Sequence, residues 1–172
     1  MTMKKIAMMV VALAMTLGAS AQFEQGKYYL GASLTGLDAS YSGLTEFKLG
    51  VDAKAGYFFA DNLMAYGQVG YNHESREGKP DRFMAGLGAR YYIVQNGIYL
   101  GVNGKYVHDN SNYNDFMPGV EVGYAFFINR TVTIEPAIYY DQSFKKHSDY
   151  STVGFRIGIG INLFQNTPSY FR

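Results

Sequence analysis

The segment STVGFRIGIGINLF at residues 151–164 sorts its side chains by parity. Val153, Phe155, Ile157, Ile159, Ile161 and Leu163 share one parity, and Gly154, Arg156, Gly158, Gly160 and Asn162 share the other. Successive side chains of a β-strand point to opposite faces, so this stretch reads as a strand with one apolar face and one small or polar face. Seven upstream segments repeat the pattern, near residues 27–37, 44–59, 63–73, 82–94, 98–107, 116–128 and 131–144. In the second of them Phe47, Leu49, Val51, Ala53, Ala55 and Tyr57 oppose Glu46, Lys48, Asp52 and Lys54. Eight alternating segments of membrane-strand length specify an all-β fold, an eight-stranded antiparallel up-and-down transmembrane β-barrel.

The connections alternate in length. Residues 38–43, 74–81, 109–114 and 145–150 form long polar links, whereas Asp61-Asn62, Gln95-Asn96-Gly97 and Asn129-Arg130 are tight. Long and tight connections therefore lie at opposite ends of the barrel, and an even strand count places both termini at the tight-turn end. Outer-membrane barrels have this asymmetry, with short turns on the periplasmic side. Asn and Asp suit the tight turns because they tolerate positive φ. Pro118 and Pro136 fall inside the sixth and seventh segments, where a closed barrel offers no free edge for a missing N–H. A bulge or local break is expected at each.

Alternation alone does not say which face is inside; the polar face decides. It carries Gly31, Gly86, Gly88, Gly101, Gly119, Gly123, Gly154, Gly158 and Gly160 rather than the Lys, Glu and Thr of a water-facing sheet. Small residues among a few long ones fit the narrow interior of an eight-stranded barrel, which side chains fill. Charged residues make up 17% of the chain, below the roughly 25% of soluble domains. Aromatic residues gather toward the ends of the apolar face: Tyr57, Phe59, Tyr91 and Phe126 at the tight-turn end, Tyr71, Phe83, Tyr106, Phe116 and Tyr140 at the other. That is the arrangement of two membrane interfaces. A soluble lipocalin-like barrel is the competing architecture.

Residues 1–21 hold Lys4 and Lys5, an apolar run and Ala19-Ser20-Ala21, the three parts of a cleaved signal peptide. Residues 22–172 are then the outer membrane barrel. Losing Lys4 and Lys5 takes the net charge from +1 to −1, which gives no reason to expect nucleic acid as a partner. The chain has no cysteine, so disulfides and thiolate chemistry are excluded.

The polar face gathers Lys48, Lys54, Arg82, Arg90, Lys105 and Arg156 with Glu46, Asp52, Glu121 and Glu135. Charges shielded from water must pair, so these ten form a candidate lumen network, with a proton or ion path as the alternative use. Catalytic motifs are weak. His73-Glu74-Ser75-Arg76-Glu77 misses the second histidine of a zinc-protease helix and lies in a loop. His108 and Ser111 are close in sequence, but adjacency is not catalytic geometry. No cofactor is expected.

The ends GYFFADN (56–62) and GYAFFINR (123–130), the closing strand GFRIGIGINLF (154–164) and the leader resemble small bacterial outer membrane β-barrels of the OmpA/OmpX type. The resemblance implies an outer membrane location, periplasmic termini and contact with outer membrane lipids and lipopolysaccharide. It also implies recognition of an aromatic-ended last strand by the barrel assembly machinery, a role Phe164 matches here, with Phe171 as the alternative. The function expected is non-enzymatic: a monomer with a structural, envelope-integrity or surface-interaction role. A narrow passive pore and a lipid-modifying enzyme are the alternatives. Arg76, Lys79, Arg82, Lys145 and Lys146 at the loop end are candidates to meet lipopolysaccharide phosphates.

Overall fold

A computed structural model describes residues 23–40, 45–46, 49–73, 82–93, 97–109, 114–145 and 151–163. The expected leader at 1–21, Lys48, Ser111, Phe164, Arg76, Lys79, Lys146 and the side chain of Glu46 lie outside them. The strands are β1 (Tyr28–Ser40), β2 (Leu49–Ala60, preceded by the two-residue piece Thr45–Glu46), β3 (Leu63–His73) and β4 (Arg82–Tyr92), followed by β5 (Ile98–Asp109). Then come β6 (Asn114–Tyr124, continued by Phe126–Phe127), β7 (Val132–Asp141) and β8 (Thr152–Leu163). Each pairs antiparallel with its chain neighbours, and β8 pairs with β1 from Tyr28↔Leu163 to Ser40↔Thr152, which closes the ring. No helix occurs among the described residues.

The barrel is inside-out relative to a soluble protein. Lys54, Arg90, Glu121 and Arg156 are buried, while Leu87 is 75% exposed and Ile157 50%. In water that distribution would forfeit the hydrophobic driving force; in hydrocarbon it is the stable one. Every apolar residue of the closing strand, from Val153 to Leu163, faces outward. Tyr57, Phe59, Tyr91 and Phe126 are exposed at one rim, and Tyr71, Phe83, Tyr106 and Phe116 at the other, with Tyr140 half-buried.

Tight-turn chemistry follows the residues. Asn62 turns the chain at a φ of 62°, and Asn129 Oδ1 accepts hydrogen bonds from the amides of Thr131 (2.8 Å) and Val132 (2.8 Å). An Asn side chain that holds the backbone two or three residues on stands in for a backbone turn.

The two prolines depart from expectation. Pro118 pairs in register with Gly104, and Pro136 with Ile157, without a bulge at either. In an antiparallel strand a residue's N and O point to the same side. The Pro118 carbonyl accepts from Gln142 N, so its ring nitrogen also faces β7, just past the last β6–β7 pair, Gly119↔Asp141. Pro136 faces the interruption of β6 at Ala125, which lies between the pairs Gly123↔Ala137 and Phe126↔Ile134. The missing N–H of Pro118 thus falls just beyond the end of the β6–β7 pairing, and that of Pro136 at its gap. The register shifts occur elsewhere, between Thr35 and Leu37 on β1 and between Phe58 and Ala60 on β2.

Candidate functional site in the barrel lumen

Inward-facing side chains fill the lumen in layers. The middle layer is built around Glu121 of β6. Its Oε1 accepts from Arg90 Nε at 2.6 Å; its Oε2 accepts from Arg156 Nη2 at 2.5 Å and from Lys54 Nζ at 3.3 Å. Arg90 also donates through Nη1 to Glu135 Oε2 at 2.8 Å. The Tyr29 hydroxyl donates to the same oxygen at 2.7 Å and Thr133 Oγ1 to Glu135 Oε1 at 2.8 Å. Arg156 Nη1 reaches Asp52 at 4.0 Å. Three cations thus meet three carboxylates, contributed by β2, β4, β6, β7 and β8. Such a cluster tolerates burial because each charge has an opposite charge beside it and Glu121 and Glu135 are held by several hydrogen bonds.

Aromatic rings complete the cation shell. The Arg90 guanidinium carbon lies 4.3 Å from the Tyr99 ring centroid and 5.4 Å from that of Tyr66; Lys54 Nζ is 5.0 Å from Tyr66, and Arg156 is 4.7 Å from Tyr139. A desolvated cation over an aromatic face is attracted by the ring quadrupole. Glycines opposite make the room. Gly101 pairs with Glu121, Gly88 with Tyr66 and Gly123 with Tyr99. A Cβ on Gly101 would sit 2.5 Å from Glu121 Cγ, and one on Gly88 2.5 Å from Tyr66 Cζ. A large side chain on one strand therefore leans over a glycine on the next, which is how a narrow tube admits both.

Toward the tight turns the filling is aromatic. Phe23, ahead of β1, stacks on Tyr92 with centroids 3.9 Å apart, and lies 5.9 Å from Phe58 and 5.3 Å from Phe127. Its carbonyl accepts from Asn62 N at 2.7 Å, and Gln25 N donates to Asp61 Oδ1 at 2.9 Å. The segment before β1 is pinned under the β2–β3 turn and caps that mouth. Toward the loops the filling is polar. Lys105 pairs with Asp141, and Ser143 Oγ donates to Asp115.

Of the residues singled out from sequence, Asp52, Lys54, Arg90, Glu121, Glu135 and Arg156 come together in the middle layer. Lys105 lies apart, paired with Asp141, and Arg82 lines the loop-side chamber. Asp141, Tyr29 and Phe23 are additions. Asp141 and Tyr29 have inward parity on their strands, which was the available signal; Phe23 precedes the first strand and carried none. His108 faces outward, with Nδ1 2.6 Å from Asn114 Oδ1. Among the described residues no group of three His, Cys, Asp or Glu is placed to hold a metal. The oxygens of Glu121 are committed to three cations, which ties four strands together at the centre of the lumen.

A family model described as outer membrane protein beta-barrel domain matches residues 7–167. No curated protein matches the chain in sequence. Among solved structures, the N-terminal β-barrel domain of Pseudomonas aeruginosa OprF superposes with a TM-score of 0.59 at 15% identity, covering 81% of this chain and 98% of that one. Neisserial surface protein A gives 0.58 at 16% identity, covering 80% and 97%. A de novo designed transmembrane β-barrel gives 0.52 at 15% identity, covering 81% and 98%. A designed barrel superposes much as the natural ones do, so these likenesses speak for the fold and not for an activity.

Proposed function

The chain belongs to the outer membrane protein β-barrel domain family, and from that premise we propose that it is a sealed, non-enzymatic barrel of the outer membrane with a structural, envelope-integrity or surface-interaction role. The observation that carries this reading is the filled middle of the lumen. The cavity beside Tyr29, Arg90, Glu135 and Arg156 measures only about 10 Å³. That is no more than one water molecule needs, which supports a lumen closed at its middle. The narrow-pore alternative requires the Glu121 cluster to open, which separates several buried ion pairs at once.

In this reading the leader is removed after Ala21, both termini lie in the periplasm, and the protein is a monomer. Its lipid face meets outer membrane lipids, and its loop-end cations meet lipopolysaccharide. Phe164 serves as the signal for the barrel assembly machinery. The decisive experiment is planar-bilayer recording of the purified mature protein together with lipid analysis of cells with and without it. Current at the level of the bare bilayer and unchanged lipid A and phospholipid profiles are expected. Reproducible conductance steps would replace this reading with the pore, and altered acyl chains would replace it with the lipid-modifying enzyme.

A further inference from the structure

Above the Glu121 layer, on the loop side, lies a cavity of about 40 Å³ lined by Asp52, Gln68, Asn72, Lys105, Asp141 and Arg156 among others. Gln68 and Asp141 are 8% and 7% exposed. Among the described residues, Gln68 Nε2, Asn72 Oδ1, Asp141 Oδ1 and Arg156 Nε have no hydrogen-bond partner. Two of these atoms are donors and two are acceptors. Leaving such groups buried and unpaired is unfavourable, more so for the charged ones. Charge in the chamber is mixed, with Asp52 and Asp141 facing Arg82, Lys105 and Arg156, and the unpaired atoms include acceptors as well as donors, so a simple anion would satisfy only half of them. The ligand that fits is one that both donates and accepts and is small.

We propose that the loop-side half of the lumen is a water-binding vestibule closed at its base. Roughly three to four water molecules fit, at about 10–15 Å³ each, and they bridge Gln68 Nε2 and Arg156 Nε to Asn72 Oδ1 and Asp141 Oδ1. The water exchanges with the loop side alone, because the Glu121 cluster and the Phe23–Tyr92 stack stand below it. This sidedness rests on the sealed-barrel reading and goes beyond it by placing water in one half.

The methionines after the leader supply the probe, since Met84 and Met117 line the vestibule while Met64 is fully buried in the aromatic half. Hydroxyl radicals made by a millisecond X-ray pulse arise from internal water as well as bulk, and oxidise adjacent methionine to sulfoxide. In the mature protein in nanodiscs, Met117, itself only 5% exposed, is expected to oxidise at least about tenfold faster than Met64. Fast labelling of both would overturn the closed base and the sealed barrel with it. Slow labelling of both would overturn the vestibule and leave the sealed barrel standing. Gln68→Leu removes one donor and is expected to slow Met117 labelling several-fold, with heat-modifiable mobility as the check on folding. Unchanged labelling in that variant would refute the assignment of the water to these atoms.

Discussion

Below the Glu121 layer, rings fill the lumen with centroids 3.9 to 5.9 Å apart around Phe23, Phe58 and Tyr92; above it, Gln68, Asn72 and Asp141 surround a cavity of about 40 Å³ with polar atoms unpaired. The same tube is thus packed with rings at one end and leaves a polar cavity at the other. Packing density follows chemistry. Aromatic faces interdigitate without direction, whereas polar groups at fixed strand positions need partners at fixed angles and leave gaps when the opposite strand supplies none. Stability should therefore reside in the middle and lower layers, and access to solvent in the upper one.

That division can be broken by substitution. Glu121→Leu leaves Lys54, Arg90 and Arg156 buried without their shared acceptor, and a loss of about 3–5 kcal/mol is expected in denaturant titration followed by heat-modifiable mobility. Retained stability would mean the layer is hydrated and the contrast false. Phe23→Ala removes the ring stacked on Tyr92; about 3 kcal/mol is expected in the same assay, at the low end for such truncations because Phe23 precedes β1, outside the strand ladder, and its segment can relax. Gly101→Ala brings a Cβ within 2.5 Å of Glu121 Cγ, and about 1–3 kcal/mol should be lost by overpacking.

Smallest is the effect in the upper half. Asn103 is buried beside Tyr66, so Asn103→Leu gives up at most one neutral hydrogen bond to that hydroxyl while keeping the side-chain volume, and should change stability by about 1 kcal/mol or less. A loss as large as that for Phe23→Ala would show the two halves to be equally packed. On the outer face, Leu87→Arg tests orientation: the residue is 75% exposed to lipid, and a cost of about 2–4 kcal/mol is expected if it lies near the bilayer midplane.

Residues such as Asp52, Lys54, Arg90 and Glu121 could be placed in the lumen from sequence because inward parity is a local property. Their partners could not. Lys105 pairs with Asp141 two strands away in the chain, and Arg90 bridges Glu121 and Glu135 across the tube. The effect of Pro136 was equally illegible, since the gap that accommodates it lies at Ala125 on the neighbouring strand.

By itself, the sequence determined the strand count, the face that meets lipid and the end that carries the tight turns. Each follows from a period of two and from turn residues, which act within a few positions of the chain. The tertiary structure decided which charges share Glu121, that Tyr29 and Tyr99 complete the Arg90 shell, that Phe23 caps the tight-turn mouth, and where the lumen leaves room. Those depend on how the strands stagger when β8 meets β1. Ring closure sets that stagger for all eight strands at once, so no single segment encodes it.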